Sequence, residues 1–216
     1  IRGVGGYAHL KANGAYKMGK GIWVMVGDNI TVEWIEFSEA SVPDHNGAGI
    51  RLDGEGLIVR HCYFHDNENG ILGGNNGDII IEYSIFERNG YGDGYTHNIY
   101  IGQANSLTLR FCYSHLARIG HNVKSRAQTN YLLYNRIMDE EQGTASYAIN
   151  LPNGGVAYLI GNLIQQGPQT DNSTIISYGE EGLIYTLNEL YIVNNTVVND
   201  RWTGLFIRTV NETDTV

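Results

Sequence analysis

The stretch Ile149-Asn150-Leu151-Pro152-Asn153-Gly154-Gly155-Val156-Ala157-Tyr158-Leu159-Ile160-Gly161-Asn162 carries the reading of the fold. An apolar-x-apolar triplet, Ile149-Asn150-Leu151, leads through a Gly-containing turn to a second apolar run, Tyr158-Leu159-Ile160, with Asn162 two residues later. Each run is too short for a helix and alternates as a half-buried strand does. The same order recurs along the chain. Triplets begin at Ile22, Ile50, Ile71, Ile99, Val123, Ile149, Ile175 and Leu205, with starts 28, 21, 28, 24, 26, 26 and 30 residues apart. Second runs begin at Ile30, Leu57, Ile79, Leu107, Tyr131, Tyr158 and Tyr191. A third column follows them: Ile35, Cys62, Ser84, Cys112, Asn135, Asn162 and Asn195.

An Asn column at a corner suits stacked coils, because each amide can bond the backbone of the next turn. These features predict an all-β fold, a right-handed parallel β-helix of about seven to eight coils around a shared core. One domain is expected over residues 1–216. A β-sandwich also has short strands at regular spacing, but it does not repeat a corner Asn in register. The opening Ile1-Arg2-Gly3 reads like the second half of a strand, so further native sequence, including any secretion signal, is expected before it.

Composition narrows the function. The 216 residues carry 23 acidic and 14 basic side chains, a net charge of −9, which disfavours nucleic-acid binding by bulk charge. With 42% apolar residues and 15 Tyr the chain can bury a sizeable core, which excludes disorder. No apolar run approaches the roughly 18 residues that cross a bilayer. Gly is abundant at 28 and Pro scarce at 3, as many short turns require. Cys62 and Cys112 share a column but stand two coils apart, too far for a disulfide, so both are expected to be buried thiols. The Asn-x-Ser/Thr triplets at Asn29, Asn172, Asn194 and Asn211 are uninformative in so Asn-rich a chain.

If the outer residues of each triplet point inward, the outward column reads Trp23, Arg51, Leu72, Tyr100, Lys124, Asn150, Ile176 and Phe206. His97, His121 and Tyr147 lie beside it, and Asp53 and Arg126 flank its other side. His97, Tyr100, His121, Lys124, Arg126, Tyr147 and Asn150 are therefore expected to form one patch over three adjacent coils. Such a concentration of titratable and aromatic groups is the pattern of a site.

The chemistry that suits this patch is β-elimination on a uronic-acid polymer, which needs a cation for the carboxylate, a base, and an acid for the leaving oxygen. Arg126 or Arg51 is the candidate for the carboxylate, Lys124 or His121 for the base, and Tyr147 or Tyr100 for the acid; His97 completes the catalytic set. Trp23, Tyr100, Asn150, Arg51, Asp53, Asn153 and Tyr178 are the expected sugar contacts. His45, His61, His65 and His115 are expected to bond backbone carbonyls at turns, and Asp93 to form a turn or to orient His97. The acidic stretches Asp66-Asn67-Glu68-Asn69 and Asp139-Glu140-Glu141 read as solvated loops, with calcium as the cofactor their oxygens would suit. A bound metal is otherwise not expected. Hydrolysis by paired carboxylates is the weaker enzymatic variant, since Asp53 is the only carboxylate placed by the column; the alternative to an enzyme is a non-catalytic solenoid that binds glycan or assembles end to end into a fibre.

Coil length and the G-I-x-L, I-x-V and N-x-F steps resemble the pectate-lyase-like superfamily over nearly the whole chain. More narrowly, Gly120-His121-Asn122-Val123-Lys124-Ser125-Arg126 with Tyr134-Asn135 resembles the chondroitinase-B and alginate-lyase family. That resemblance implies that Lys124 is the base. The family's next coil carries a catalytic Arg in Leu-Arg-His-Gly, where this chain reads Leu151-Pro152-Asn153-Gly154, so Arg126 or Arg51 would have to substitute. The stretches around His97, Gly120 to Arg126, Gly143 to Tyr147 and Leu151 to Gly155 also resemble bacterial secreted β-helix repeat proteins without an established activity. A polysaccharide partner and an extracellular or cell-surface location are implied, with no nucleic acid and no membrane span.

Overall fold

The computed structural model describes residues 1–12 and 19–216. These form three parallel sheets of eight, eight and seven strands, stacked as a right-handed β-solenoid of about seven turns. The first sheet runs through Gly21–Met25, Ala48–Leu52, Asn69–Gly73, Ile99–Ile101, His121–Ser125, Tyr147–Leu151, Thr174–Tyr178 and Leu205–Thr209. The second holds Ile30–Glu33, Leu57–Arg60, Asp78–Glu82, Ser106–Arg110, Thr129–Leu133, Val156–Ile160 and Glu189–Val193. The third holds Ala8–Lys11, Ile35–Ser38, Tyr63–His65, Ile85–Glu87, Tyr113–His115, Arg136–Met138, Leu163–Gln166 and Thr196–Asn199. No helix among the described residues is long and apolar enough to cross a membrane.

Alternation fixes which side chains enter the core. In the first sheet Ile50, Ile71, Ile99, Val123, Ile149 and Ile176 stack in one fully buried column. In the third, Phe37, Phe64 and Phe86 stack face to face with centroids 4.8 Å apart at each step. The corner column holds throughout. Each N–H of Cys112, Asn135 and Asn162 donates to the Asn Oδ1 of the next coil, at 3.0, 2.9 and 2.8 Å, and Cys62 uses the Ser84 hydroxyl at 3.1 Å. Both cysteines are buried free thiols, raised by burial to about 11 and 12, and so inert.

The residue before this column is left-handed in every coil from Trp34 onward: Trp34, His61, Tyr83, Phe111 and Tyr134 have φ of 57, 50, 49, 55 and 56°. Their rings stack in a continuous outer ladder, with centroids 4.6, 5.2, 5.1 and 5.7 Å apart. Gly161 continues the position at φ 68°, where an added Cβ would fall 2.5 Å from the Tyr134 ring. Asn194 follows at φ 54°.

Two phases differ from the sequence reading. Trp23 pairs with Ile50 and Val24 with Arg51; Ser177 pairs with Asn150, and Arg208 with Ser177. The outward column is therefore Val24, Arg51, Leu72, Tyr100, Lys124, Asn150, Ser177 and Arg208. Ile176 points inward, and Trp23 packs edge-on against Phe37, 5.0 Å away. The reason is that Gly21–Met25 and Ile175-Ile176 lack a polar middle residue, so either phase fits a period of two; Phe206 keeps its outward phase, and the register places Arg208, two residues later, in the column. In the second sheet Tyr131, Tyr158 and Tyr191 pair with one another and stack outward at 5.3 and 5.0 Å, leaving Asn130, Ala157 and Leu190 to face the core.

Candidate functional site

The outward column of the first sheet carries a cluster of charge. Tyr100, Lys124 and Asn150 are direct cross-strand neighbours on three successive coils. Arg126, just past the strand His121–Ser125, donates from Nε to the Tyr100 hydroxyl at 2.9 Å and from Nη1 to Asn153 Oδ1 at 2.5 Å. Its Nη2 reaches Glu181 Oε2 at 2.5 Å, while Lys124 Nζ donates to Glu181 Oε1 at 3.1 Å. The Glu181 carboxylate is thus held with one cation on each oxygen, and Lys124 and Arg126 both lie over the Tyr100 ring, 5.5 and 5.8 Å from its centroid. Burial raises the Glu181 carboxyl, but hydrogen bonds from Arg126 and Lys124 overcome this and leave it below its usual range. One residue earlier, Glu180 accepts from Tyr147 Oη at 2.8 Å and Ser177 Oγ at 2.7 Å, and pairs with Arg208 at 2.7 Å.

His97 and His121 form a buried pair behind this surface, stacked 4.7 Å apart at 13°. Gly120 makes the stack possible: at φ 140° a Cβ there would lie 1.9 Å from Thr96 O. The backbone N–H of His121 donates to His97 Nδ1 at 3.0 Å, and that of Tyr147 to His121 Nδ1 at 3.2 Å. Both Nδ1 atoms are acceptors, so each neutral ring carries its proton on Nε2. His121 Nε2 lies 3.0 Å from the Asn150 amide, whose Oδ1 otherwise has no partner; turning that oxygen toward Nε2–H satisfies both groups. Burial, aided by Lys124, pushes His121 down to about 3. Burial also lowers His97 well below its ordinary value, with His121 and Lys124 contributing. His121 is therefore neutral near pH 7, with Nδ1 already occupied. This weakens its candidacy as the base.

Toward the N-terminal coils the face opens into a cleft of about 470 Å³. Its floor is Arg51, Leu72 and Tyr100 of the outward column, and its walls come from Asp44 to Asn46 and from Asp93 to Thr96. Arg51 Nε donates to Asp53 Oδ1 at 2.9 Å, and this bond is the main reason the Asp53 carboxyl lies below its usual range. His45 stacks on Tyr91 at 3.7 Å, with its Nδ1 buried and unpartnered. Tyr100 belongs to both the cleft and the Lys124 cluster, so the two form one continuous face.

The structure brings together His97, Tyr100, His121, Lys124, Arg126, Tyr147, Asn150 and Asn153, with Arg51 and Asp53 at the cleft. Trp23 and Tyr178 do not join them. Tyr178 is buried, and its hydroxyl donates to the Gly155 carbonyl inside the solenoid. Asp93 caps a turn, accepting from Tyr95 N at 2.9 Å and from the Thr96 hydroxyl at 3.3 Å, rather than orienting His97. His61 stacks in the aromatic ladder, whereas His65 and His115 bond carboxylates. The acidic stretches are only partly solvated: Asp66 is taken by Arg88 and Arg118 and Glu68 and Asp139 are buried, while Glu141 is exposed. Sequence reasoning missed Glu180, Glu181 and Arg208. The signal for the first two was an acidic pair between Gly179 and Gly182, directly after a first-sheet strand; Arg208 was hidden by a register two residues along from Phe206 on the same face.

Comparison with protein-family models, curated proteins and solved structures yields no match for this chain. The class defined by its fold is the parallel β-solenoid with an extended, polar first-sheet face.

Proposed function

We propose that the first-sheet face binds an acidic glycan and that the protein is a polysaccharide lyase acting by β-elimination, outside the cell or at its surface. The observation that carries this reading is the grip of Lys124 and Arg126 on the Glu181 carboxylate. One cation per oxygen, above a tyrosine ring and beside an open cleft, is the arrangement a uronate carboxylate and its sugar ring require. Glu181 comes from a loop and is the group a substrate carboxylate displaces. In the displaced state Arg126, with Asn153, holds the uronate; Lys124 is the base; and Tyr100, hydrogen-bonded to Arg126, delivers the proton to the leaving oxygen. The resemblance of Gly120–Arg126 to chondroitinase-B and alginate lyases supports the role of Lys124. On this face the four cations Arg51, Lys124, Arg126 and Arg208 meet three carboxylates, Asp53, Glu180 and Glu181, which leaves a local excess of one positive charge despite the chain's negative total.

The test is the ultraviolet absorbance of the unsaturated product on incubation with alginate, polygalacturonate and chondroitin sulfate. Wild type should give a rise that Lys124→Ala abolishes, and Glu181→Gln should lower KM by removing the competing carboxylate. A second reading, glycan binding without catalysis, is favoured by the internal pairing of every charged group in the cluster. Retained polymer binding without absorbance change would select it. Neither binding nor product with any polymer would refute both.

A further inference from the structure

Away from the first-sheet face, the third sheet brings His9, Glu36 and His65 together. They come from three successive strands, Ala8–Lys11, Ile35–Ser38 and Tyr63–His65. His9 stands directly across from Glu36, and His65 lies diagonally, across from Ser38. Both Nε2 atoms lie near the same oxygen: His65 Nε2 bonds Glu36 Oε1 at 3.0 Å, and His9 Nε2, bonded to the Ser38 hydroxyl, stands 3.5 Å from it. The three ligand atoms all lie within 4.8 Å of one another. We propose that these residues form a binding site for a divalent transition-metal ion of the zinc type.

Three features favour an ion over an ordinary surface ion pair. The first is the donor set, two imidazoles and one carboxylate, which suits Zn²⁺ and its neighbours and not Ca²⁺ or Mg²⁺. With bonds of about 2.0–2.1 Å, the edge of a tetrahedral site is roughly 3.4 Å, and the two separations from Glu36 already bracket it. The second is the support behind His65. Its Nδ1 lies 2.9 Å from Asp66 Oδ2, so Nδ1–H donates there and the Nε2 lone pair is turned toward the site. Asp66 is in turn fixed by Arg88 Nη2 at 3.0 Å and Arg118 Nη2 at 2.8 Å. The Tyr63 ring packs on the same imidazole, 4.4 Å away. A carboxylate behind a histidine, itself held by two arginines, leaves the ring little freedom.

The third feature is access. His9 is the more exposed ligand, its side chain 42% accessible, and gives the ion a route from solvent. The fourth position falls to water or to the Ser38 hydroxyl, 2.7 Å from His9 Nε2. Bound there, an ion cross-links the first described coil to the next two.

The experiment uses the full chain, free of any affinity tag and stripped with EDTA, titrated calorimetrically with ZnCl₂ and spectroscopically with CoCl₂. The expected result is one saturable Zn²⁺ per chain, with visible Co²⁺ bands of tetrahedral intensity. His9→Gln, Glu36→Gln and His65→Gln should each weaken binding on the order of tenfold or more, and Asp66→Asn, which alters only the support, by a comparable factor. Circular dichroism of the stripped variants, unchanged from wild type, separates loss of ligand from loss of fold. A His97→Gln/His121→Gln variant should bind as wild type does. Absence of saturable Zn²⁺ binding, or binding that survives His9→Gln/His65→Gln, would overturn the assignment.

Discussion

Asp139 shows what burial does to a single residue here. It ends a chain of buried amides in which Asn67 Nδ2 donates to Asn89 (3.0 Å), Asn89 to Asn98 (2.9 Å), Asn98 to Asn122 (3.1 Å) and Asn122 to Asp139 Oδ1 (2.8 Å). All four point the same way, so their dipoles add toward an acceptor that needs no proton of its own. Burial nevertheless outweighs these bonds and raises the Asp139 carboxyl from its ordinary 3.8 to about 7. Between those values the folded chain holds a proton that the unfolded chain has released, so this group's contribution to stability is lost as pH rises toward 7. His97 and His121 act in the opposite sense. Their folded-state values are depressed, so their contribution is present above about 6.5 and falls as acid charges the unfolded chain. Asp139→Asn keeps an acceptor for Asn122 and removes the titration, at the loss of the oxygen that accepts from Gly167 N, a loss that does not vary with pH. Relative to wild type, the variant should gain on the order of 2–4 kcal/mol between pH 5 and pH 8, read from urea unfolding at both. Parallel pH dependences would refute this account.

Among the elements, the corner ladder makes the coils equivalent. Asn162 Oδ1 accepts from both N and Nδ2 of Asn135, at 2.9 and 3.0 Å, while its own Nδ2 donates to Leu132 O at 2.8 Å. Asn162→Ala leaves a buried backbone N–H with no acceptor and should cost about 2–3 kcal/mol, measured by thermal or urea unfolding. Asn162→Ser should cost about half as much, because Ser84 already fills this position, accepting from Cys62 N and donating to Glu82 O. An Asn162→Ser as damaging as Asn162→Ala would show that the side chain is needed for its length, not as an acceptor. This ladder was legible in the sequence because its residues recur four or five residues after the start of each second run. Lys124, Arg126 and the two stacked histidines were legible for a related reason: polar residues interrupt an apolar alternation there and set its phase. Where the alternation is apolar throughout, at Trp23 and Ile176, the pattern could not choose a face. Loops were harder still. Glu180 and Glu181 reach the cluster only because the segment after Thr174–Tyr178 folds back over two earlier coils. The convergence of His9, Glu36 and His65 depends on the register between coils of unequal length.

At the scale of the molecule, each strand pairs only with those of the adjacent coils, and few side chains such as Glu181 and Arg118 reach further, so stability should be graded along the axis. In the strands His121–Ser125 and Tyr147–Leu151 nearly every residue is buried. In Thr196–Asn199 and Leu205–Thr209 none is. Trp202 is fully exposed, and Leu205 and Phe206 are 47% and 43% exposed, which leaves an apolar surface on the last coil. Native-state hydrogen exchange should therefore find the central strands exchanging only through global opening, and the two terminal strands orders of magnitude faster. The same experiment tests end-to-end assembly, since an apolar, incompletely paired coil is the surface on which another coil would stack. If chains associate there, raising the protein concentration should slow exchange in Thr196–Asn199 and Leu205–Thr209 and leave His121–Ser125 unchanged, and Trp202→Ser/Phe206→Ser should remove the concentration dependence. Terminal amides that exchange at one rate over the whole range would show that this coil stays open in solution. The first-sheet face would then be the surface on which to seek a partner.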